Sequence, residues 1–345
     1  MSLRGAFHEG PGLFIWVSLP GKDLTSDDRI FLEEIRPSGV VLFSENISSP
    51  SDENSLQRLR TLIRDIRGVL SPSPVILAID QEGGRVARLH EGVPSLPPMR
   101  ELAGAVGVPG LFQAGFDLGQ ALSALDIDMD FAPVFDVDSN PDNPVIGDRA
   151  FSSDPEMAFR LAMSFSQGLS LGGVIPCGKH FPGHGDTLLD SHLALPVVSA
   201  PLDILLTREI HPFGRAVSWG IPALMTAHVL YPEIDPDWPA TLSVEISEKL
   251  LRKRLGFDGL LLSDDFKMAG LREHFPVSVS VERALMATCD GLLAMKSSEL
   301  ARQVMEQLRI LSKEKKDWFE KRRREASERL MRIASRREAS KSWPL

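Results

Sequence analysis

Eight short apolar runs, separated by longer amphipathic segments, constrain the fold of this 345-residue chain more than any other sequence feature. The runs are rich in Val, Ile, Leu and Phe and are nearly continuous, as in strands buried on both faces of a parallel sheet. They cover residues 12–19, 39–44, 74–80, 128–134, 173–181, 223–228, 259–265 and 290–296. Amphipathic segments such as 54–69, 157–171 and 244–255 lie between them. This alternation predicts an α/β fold, a (β/α)8 TIM barrel.

The alternative fold is an open, doubly wound sheet. No glycine-rich phosphate motif follows the first predicted strands, so a nucleotide-binding fold has little support. The formal net charge of −9 argues against nucleic acid as a partner. No run is long enough to span a membrane, and the two cysteines cannot form a disulfide framework. We therefore expect a cytoplasmic protein.

The C-terminal residues differ in charge from the rest of the chain. Residues 313–341 hold 12 Lys and Arg against 6 Asp and Glu, and they contain few helix breakers. We predict a catalytic barrel over residues 1–312 and a helical extension over 313–345. This extension is expected to be a basic C-terminal helix that packs Trp318, Phe319, Leu330 and Ile333 on the barrel and leaves its charges in solvent.

Polar side chains stand at the end of nearly every apolar run, where a barrel places its active site. The densest group is the loop 179–192, which holds three His, two Asp and a Lys. Two interpretations compete for this loop. His180, His184 and His192 could bind a metal ion. Alternatively, Asp190 could orient His192 for acid–base catalysis, because the two residues are close enough for a hydrogen bond across a turn.

Two further runs end in acidic residues. Residues 263–268 place Asp264 and Asp265 at a strand end, where one of them could attack an anomeric carbon or hold a cation. Asp265 could instead cap the next helix. In the segment 80–89, a Gly-Gly turn lies between Asp80 and Arg88, an arrangement that suits a polyhydroxylated ligand.

Six motifs in order resemble glycoside hydrolase family 3, in particular its single-domain bacterial β-N-acetylhexosaminidases of peptidoglycan recycling. They span nearly the whole predicted barrel. The motifs are residues 80–89 (DQEGGRVARL), 131–137 (FAPVFDV), 146–151 (IGDRAF), 179–185 with 190–192 (KHFPGHG and DSH), 240–243 (ATLS) and 255–268 (LGFDGLLLSDDFKM).

The resemblance implies a role for each matching residue. Asp264 matches the catalytic nucleophile, and His192 matches the general acid/base with Asp190 as its partner. Sugar-binding positions are matched by Asp80, Arg88, Arg149, Lys179 and His180. The glucosidase members of the family take their acid/base from a second domain, for which this chain has no room. The loop 139–144 and the pair Thr288-Cys289 depart from the family pattern and leave the leaving-group preference open.

The resemblance thus implies a retaining exo-β-N-acetylglucosaminidase that acts on muropeptide fragments as a monomer, with no cofactor and no bound metal. Three enzymatic alternatives remain: a phosphorylase, a broad-specificity β-glycosidase and a metal-dependent TIM-barrel hydrolase. A barrel that binds sugar without turnover is a further alternative, which the intact Asp264, Asp190 and His192 argue against.

Overall fold

Each of the eight apolar runs contains a strand of one closed, parallel barrel. The structure is a computed structural model that describes residues 6–47, 54–188 and 195–341. The strands, which include a short two-stranded hairpin formed by β4 and β5, are β1 (Ile15–Val17), β2 (Gly39–Leu42), β3 (Ile76–Ile79), β4 (Gln81–Gly83), β5 (Val86–Ala87), β6 (Met129–Asp130), β7 (Ile175–Phe181), β8 (Ala223–Thr226), β9 (Leu260–Asp265) and β10 (Gly291–Ala294). Around the barrel the order is β1-β10-β9-β8-β7-β6-β3-β2. The predicted (β/α)8 barrel is confirmed.

Helices follow every barrel strand and cover its outer surface. They are α1 (Ser26–Ile35), α2 (Ser55–Leu70), α3 (Met99–Ala124), α4 (Pro155–Leu171), α5 (Leu202–Ile204), α6 (His211–Ser218), α7 (Ala269–Arg272), α8 (Val277–Met286), α9 (Ser298–Glu314) and α10 (Lys316–Lys341). Two π-helical segments, Leu205–Glu209 and Glu245–Arg254, complete the connections after β7 and β8. Within the described residues, no helix is long and apolar enough to cross a membrane.

Packing of α3 against α4 is unusually close, because glycines face backbone on both helices. A Cβ atom at Gly115 would lie 2.2 Å from the Phe165 carbonyl oxygen, and one at Gly168 would lie 2.1 Å from that of Phe112. No side chain larger than hydrogen fits at these two positions without moving the helices apart. The glycines therefore set the distance between the helices that follow β3 and β6.

The basic helix α10 closes the amino-terminal end of the barrel with its arginines. Arg337 is fully buried and lies 2.8 Å from Asp128, which directly precedes β6. Arg322 and Arg329 reach Asp290, which precedes β10, at 3.3 and 2.9 Å. The apolar residues Phe319, Leu330 and Ile333 of α10 are buried, whereas Trp318 is partly exposed. The expected apolar contacts are present, but several charges of this helix face the barrel instead of solvent.

Candidate active site

The carboxyl ends of the strands surround a cavity of about 220 Å³. Strand β9 brings Asp264 to its wall, and β7 brings Lys179 and His180. Every described residue to which the family resemblance gives a role lines this cavity, namely Asp80, Arg88, Arg149, Lys179, His180 and Asp264. His184 and Asp265, the other described candidates, line it as well. The wall of this small cavity combines carboxylates, cations and apolar side chains, as the walls of small-molecule sites do.

A network of ion pairs forms one wall of this cavity. Lys179 Nζ lies 2.7 Å from Asp80 Oδ1 and 2.6 Å from Glu82 Oε1. Arg149 donates two hydrogen bonds of 2.8 Å to the Glu82 carboxylate, and Arg88 Nη2 lies 3.3 Å from Asp80 Oδ2. Glu82 was absent from the residues predicted from sequence. It stands two residues after Asp80, a spacing that places both on the same side of an extended chain.

The charges in this wall are held in their ionised forms. Burial alone would raise the pKa of Glu82, but Arg149 and Lys179 outweigh it and hold that pKa well below its ordinary value. Burial would also lower the pKa of Lys179, yet Asp80 and Glu82 raise it above its usual range. Glu82 and Lys179 therefore keep their charges across neutral pH.

The two adjacent aspartates at the end of β9 have different surroundings. Asp265 Oδ1 accepts backbone hydrogen bonds from Lys267 at 3.0 Å and Met295 at 3.1 Å, which tie β9 to the turn after it and to β10. Burial raises the pKa of Asp265 to about 6. Asp264 Oδ1 accepts the Asp265 N–H at 2.8 Å. Asp265 is thus engaged by the backbone of its own turn, and both aspartates line the cavity.

Asp136 organises the start of the loop that follows β7. Its carboxylate lies 2.7 Å from His180 Nδ1 and accepts the His184 backbone N–H at 2.7 Å. Burial would raise the pKa of Asp136, but His180 outweighs it and lowers that pKa. His184 Nδ1 contacts Thr187 Oγ1 at 2.9 Å, and burial lowers the pKa of His184 to about 4. His184 is accordingly neutral at pH 7.

Asp190 and His192, the predicted acid/base pair, lie outside the described residues. Before them, Asp186 forms an ion pair with Arg208, and Asn143 holds the backbone of His184 and Gly185. No group of three or more His, Cys, Asp or Glu side chains within the described ranges is arranged to hold a metal ion. The predicted metal trio includes His192, so it cannot be assembled from these ranges alone.

Known proteins share both the sequence and the fold of this chain. Residues 18–332 match the family described as "Glycosyl hydrolase family 3 N terminal domain". A beta-hexosaminidase of Thiobacillus denitrificans is 38% identical over 303 residues, which are 86% of this chain and 82% of the relative.

Two solved structures have the same fold as this chain. A family 3 beta-N-acetylglucosaminidase from Paenibacillus sp. str. FPU-7 gives a TM-score of 0.89 at 31% identity, and the match covers 99% of this chain and 64% of that one. NagZ from Neisseria gonorrhoeae, in complex with N-trifluoroacetyl-D-glucosamine, gives 0.80 at 30% identity over 97% of this chain and 94% of that one. With its polar cavity at the carboxyl ends of a parallel barrel, the chain belongs to glycosyl hydrolase family 3 and is a glycoside hydrolase.

Proposed function

We propose that this enzyme is a retaining exo-β-N-acetylglucosaminidase that releases terminal N-acetylglucosamine from peptidoglycan-derived muropeptides. The observation that carries the proposal is the placement of Asp264 in the wall of a small cavity that also contains the Asp80–Lys179–Arg88 group. A carboxylate beside a compact, polar cavity suits attack on one terminal sugar. Paired charges at Asp80 suit recognition of that sugar's hydroxyl groups.

Asp264 attacks the anomeric carbon in this mechanism and forms a covalent glycosyl-enzyme. His192 protonates the leaving oxygen and then removes a proton from the incoming water, which completes retention of configuration. Asp190 orients the imidazole ring. An ordinary histidine pKa of about 6.5 allows both steps near neutral pH.

The cations of the cavity bind the sugar in this proposal. Asp80 accepts hydrogen bonds from the hydroxyl groups of the sugar. Arg88 and Lys179 hold the Asp80 carboxylate in place and donate hydrogen bonds to the substituents of the sugar ring. Arg149 and His180 bind the remaining polar groups. The Paenibacillus beta-N-acetylglucosaminidase and the Neisseria complex with an acylated glucosamine support an N-acetylated sugar as the preferred donor. We expect the enzyme to act as a monomer in the cytoplasm.

Turnover of 4-nitrophenyl N-acetyl-β-glucosaminide by the purified protein tests the activity, and a fluorinated donor tests the nucleophile. The donor should label Asp264, and Asp264→Asn should lose several orders of magnitude in kcat. Asp265→Asn is the matched control, because its amide oxygen can still accept the two backbone hydrogen bonds. Labelling of Asp265 would overturn the assignment.

Specificity and reaction type are tested with the same protein. A site that hydrogen-bonds an acetamido group can reject a hydroxyl analogue by about 10⁴ or more, because its polar groups are then left unpaired. Comparable kcat/KM values for the glucoside would instead indicate a broad β-glycosidase. Product analysis in phosphate buffer separates hydrolysis from phosphorolysis, since only the latter yields a sugar phosphate.

A further inference from the structure

Two buried polar residues beside β9 have no role in the mechanism proposed above. His228 ends the sixth apolar run of the sequence, and Thr241 belongs to the motif 240–243. Both side chains are fully buried and lie outside the wall of the cavity that contains Asp264. Neither residue is therefore placed to touch a sugar in that cavity, and an effect on catalysis has to pass through another residue.

His228 joins the segment after β8 to the backbone at the end of β9. Its Nε2 atom lies 3.1 Å from the carbonyl oxygen of Asp265, and its Nδ1 atom lies 2.8 Å from Thr241 Oγ1. A carbonyl oxygen can only accept a hydrogen bond, so Nε2 carries the proton of this contact. In the neutral ring Nδ1 is then an acceptor, and the Thr241 hydroxyl group donates to it.

The Thr241 hydroxyl group stabilises this form of the ring. It has one proton and two acceptors within reach, His228 Nδ1 and the Ala227 carbonyl oxygen at 3.0 Å. Thr226 Oγ1 lies 2.9 Å from Thr241 Oγ1 and can donate its own proton to it. When Thr226 donates to Thr241 and Thr241 donates to Nδ1, the remaining ring proton on Nε2 is directed at Asp265.

Asp265 connects this hydrogen bond to the nucleophile. Its carbonyl oxygen is the atom that His228 binds, and its backbone N–H donates a hydrogen bond of 2.8 Å to Asp264 Oδ1. A rotation of the Asp265 backbone would therefore move the N–H group that orients the Asp264 carboxylate.

Strand β10 holds the other side of the same peptide group. The Phe266 N–H donates to the Leu293 carbonyl oxygen at 2.8 Å, and the Met295 N–H donates to Asp265 Oδ1 at 3.1 Å. The peptide group after Asp265 is thus bound through its N–H by β10 and through its C=O by His228. Loss of the His228 hydrogen bond would free the carbonyl side of this peptide group while β10 still held the N–H side.

We propose that His228 is a positioning residue for the nucleophile Asp264 and that Thr241 keeps its ring in the donating form. This inference rests on the proposed function, in which Asp264 attacks the anomeric carbon. His228 holds the Asp265 carbonyl group, and the Asp265 N–H holds the Asp264 carboxylate. A reacting group that is misplaced by about 1 Å can lose about 10²-fold in rate, so this support is felt in the chemical step.

Two substitutions at His228 separate the contacts of the two ring nitrogens. The amide nitrogen of glutamine can occupy the place of Nε2 and donate to Asp265. The amide of asparagine is one bond shorter, so it reaches only the place of Nδ1 and keeps the contact with Thr241. We expect His228→Asn to lower kcat/KM about 10- to 100-fold. His228→Gln is the matched control and should lower kcat/KM less than about fivefold.

Three measurements distinguish positioning of the nucleophile from a general loss of structure. The inhibition constant of N-acetylglucosamine should stay close to the wild-type value in both variants, because the cavity wall around Asp80 is unchanged. The rate at which the fluorinated donor labels Asp264 should fall by the same factor as kcat/KM. The loss should also be the same for activated and poor leaving groups, because the nucleophile and not the proton donor is displaced.

Thr241 provides a second and independent pair of variants. Thr241→Val removes the hydroxyl group at nearly constant shape, whereas Thr241→Ser keeps it. The valine variant should lose roughly 3- to 10-fold in kcat/KM, and the serine variant should stay close to the wild type. Thr241→Val should add little to His228→Asn, because both substitutions act through the one hydrogen bond to Asp265.

The failure of this inference differs from the failure of the proposed function. Equal losses for His228→Asn and His228→Gln would overturn it, as would a loss confined to poor leaving groups. If the His228 variants do not fold, equal activities of Thr241→Val and Thr241→Ser would overturn it. In each case, turnover of N-acetyl-β-glucosaminides by the wild-type protein would leave the glycosidase function intact. Absence of that turnover would overturn both.

Discussion

Lys179 Nζ lies 2.7 Å from Asp80 Oδ1, and only 4% of the lysine side chain is exposed to solvent. The pair joins β7 to the end of β3 across 99 residues of sequence. A buried ammonium fixes the direction of the Asp80 carboxylate before any sugar arrives. This preorganisation reduces the conformational cost of binding.

Lys179→Met should therefore weaken both the fold and the activity. The substitution leaves the carboxylates of Asp80 and Glu82 without their shared cation, and loss of one partner from a buried pair costs about 3–5 kcal/mol. Lost charged hydrogen bonds should also lower kcat/KM roughly 10- to 150-fold. Arg88→Met is the comparison, because this partly exposed arginine should cost no more than about 1 kcal/mol. Urea unfolding and steady-state kinetics measure the two effects, and equal stability losses would contradict the assignment.

Glu209 should make the free energy of unfolding decrease as the pH rises. Burial raises the pKa of Glu209 to about 7 even though Arg208 lies beside it, and Ser139 donates a hydrogen bond of 3.0 Å to the same carboxyl group. The folded state thus holds the proton more tightly than the unfolded state. The contribution of protonated Glu209 to the free energy of unfolding is complete below 4.5, the ordinary pKa of a glutamate. This contribution is lost as the pH rises through about 7.

Glu209→Gln, a neutral isostere, should remove this dependence. Relative to the wild type, the variant should gain up to about 3 kcal/mol in free energy of unfolding between pH 4 and pH 8. The difference between the two proteins is the proper readout, because the lowered pKa of His184 acts in the opposite direction between about 4 and 6.5. Denaturant unfolding at several pH values measures it. A difference that does not vary with pH would show that folding does not change the pKa of Glu209.

Gly168→Ala tests the close approach of α3 and α4. The added methyl group would meet the Phe112 carbonyl oxygen, and the resulting strain should cost about 1–3 kcal/mol. Gly104→Ala is the matched control on α3, because nothing lies within 4 Å of a Cβ there. That control should instead gain roughly 0.5–1 kcal/mol from helix propensity. Thermal unfolding should show opposite shifts for the two variants, and a neutral Gly168→Ala would contradict the packing argument.

The barrel could be predicted from sequence, because each buried strand lies within a short apolar run. The candidate residues of the sequence include most of the charged side chains in the cavity wall, but not its apolar residues. The sequence does not predict Glu82 as a site residue, because its partner Arg149 is 67 residues away and only barrel closure brings them together. The same reason applies to Asp136, which binds the backbone of His184 across 48 residues.

The C-terminal helix shows the limit of a charge pattern. Interleaved acidic and basic residues are typical of a solvated helix, so the pattern of residues 313–341 predicts charges that face the solvent. Arg337 is nevertheless buried against Asp128, 209 residues earlier in the chain. Whether an arginine of α10 faces the barrel or the solvent depends on a carboxylate that lies far away in the sequence, as Asp128 does for Arg337. Sequence periodicity alone therefore could not orient α10.

Arg337→Met should destabilise the barrel, because α10 closes its amino-terminal end. Asp128 keeps Arg67 at 2.6 Å, but the oxygen facing Arg337 loses its cation. A cost of about 3–5 kcal/mol is expected for a broken buried pair. Arg332→Met is the control, since this exposed arginine contacts the exposed Asp258 and should cost less than about 1 kcal/mol. If the two variants unfold at the same urea concentration, the buried Arg337–Asp128 pair contributes no more to stability than the exposed Arg332–Asp258 pair.

The last prediction concerns Asp190 and His192 as a catalytic unit. His192→Ala should reduce kcat/KM far more for substrates with poor leaving groups than for activated aryl glycosides, because a good leaving group needs no proton. Asp190→Ala should give the same pattern, since it loses the group that orients the imidazole. The double variant should add little to either single variant, as expected for residues that act together. A series of substituted phenyl N-acetyl-β-glucosaminides measures this dependence on leaving-group pKa. Equal losses across the series would remove His192 from the acid/base role while leaving Asp264 as the nucleophile.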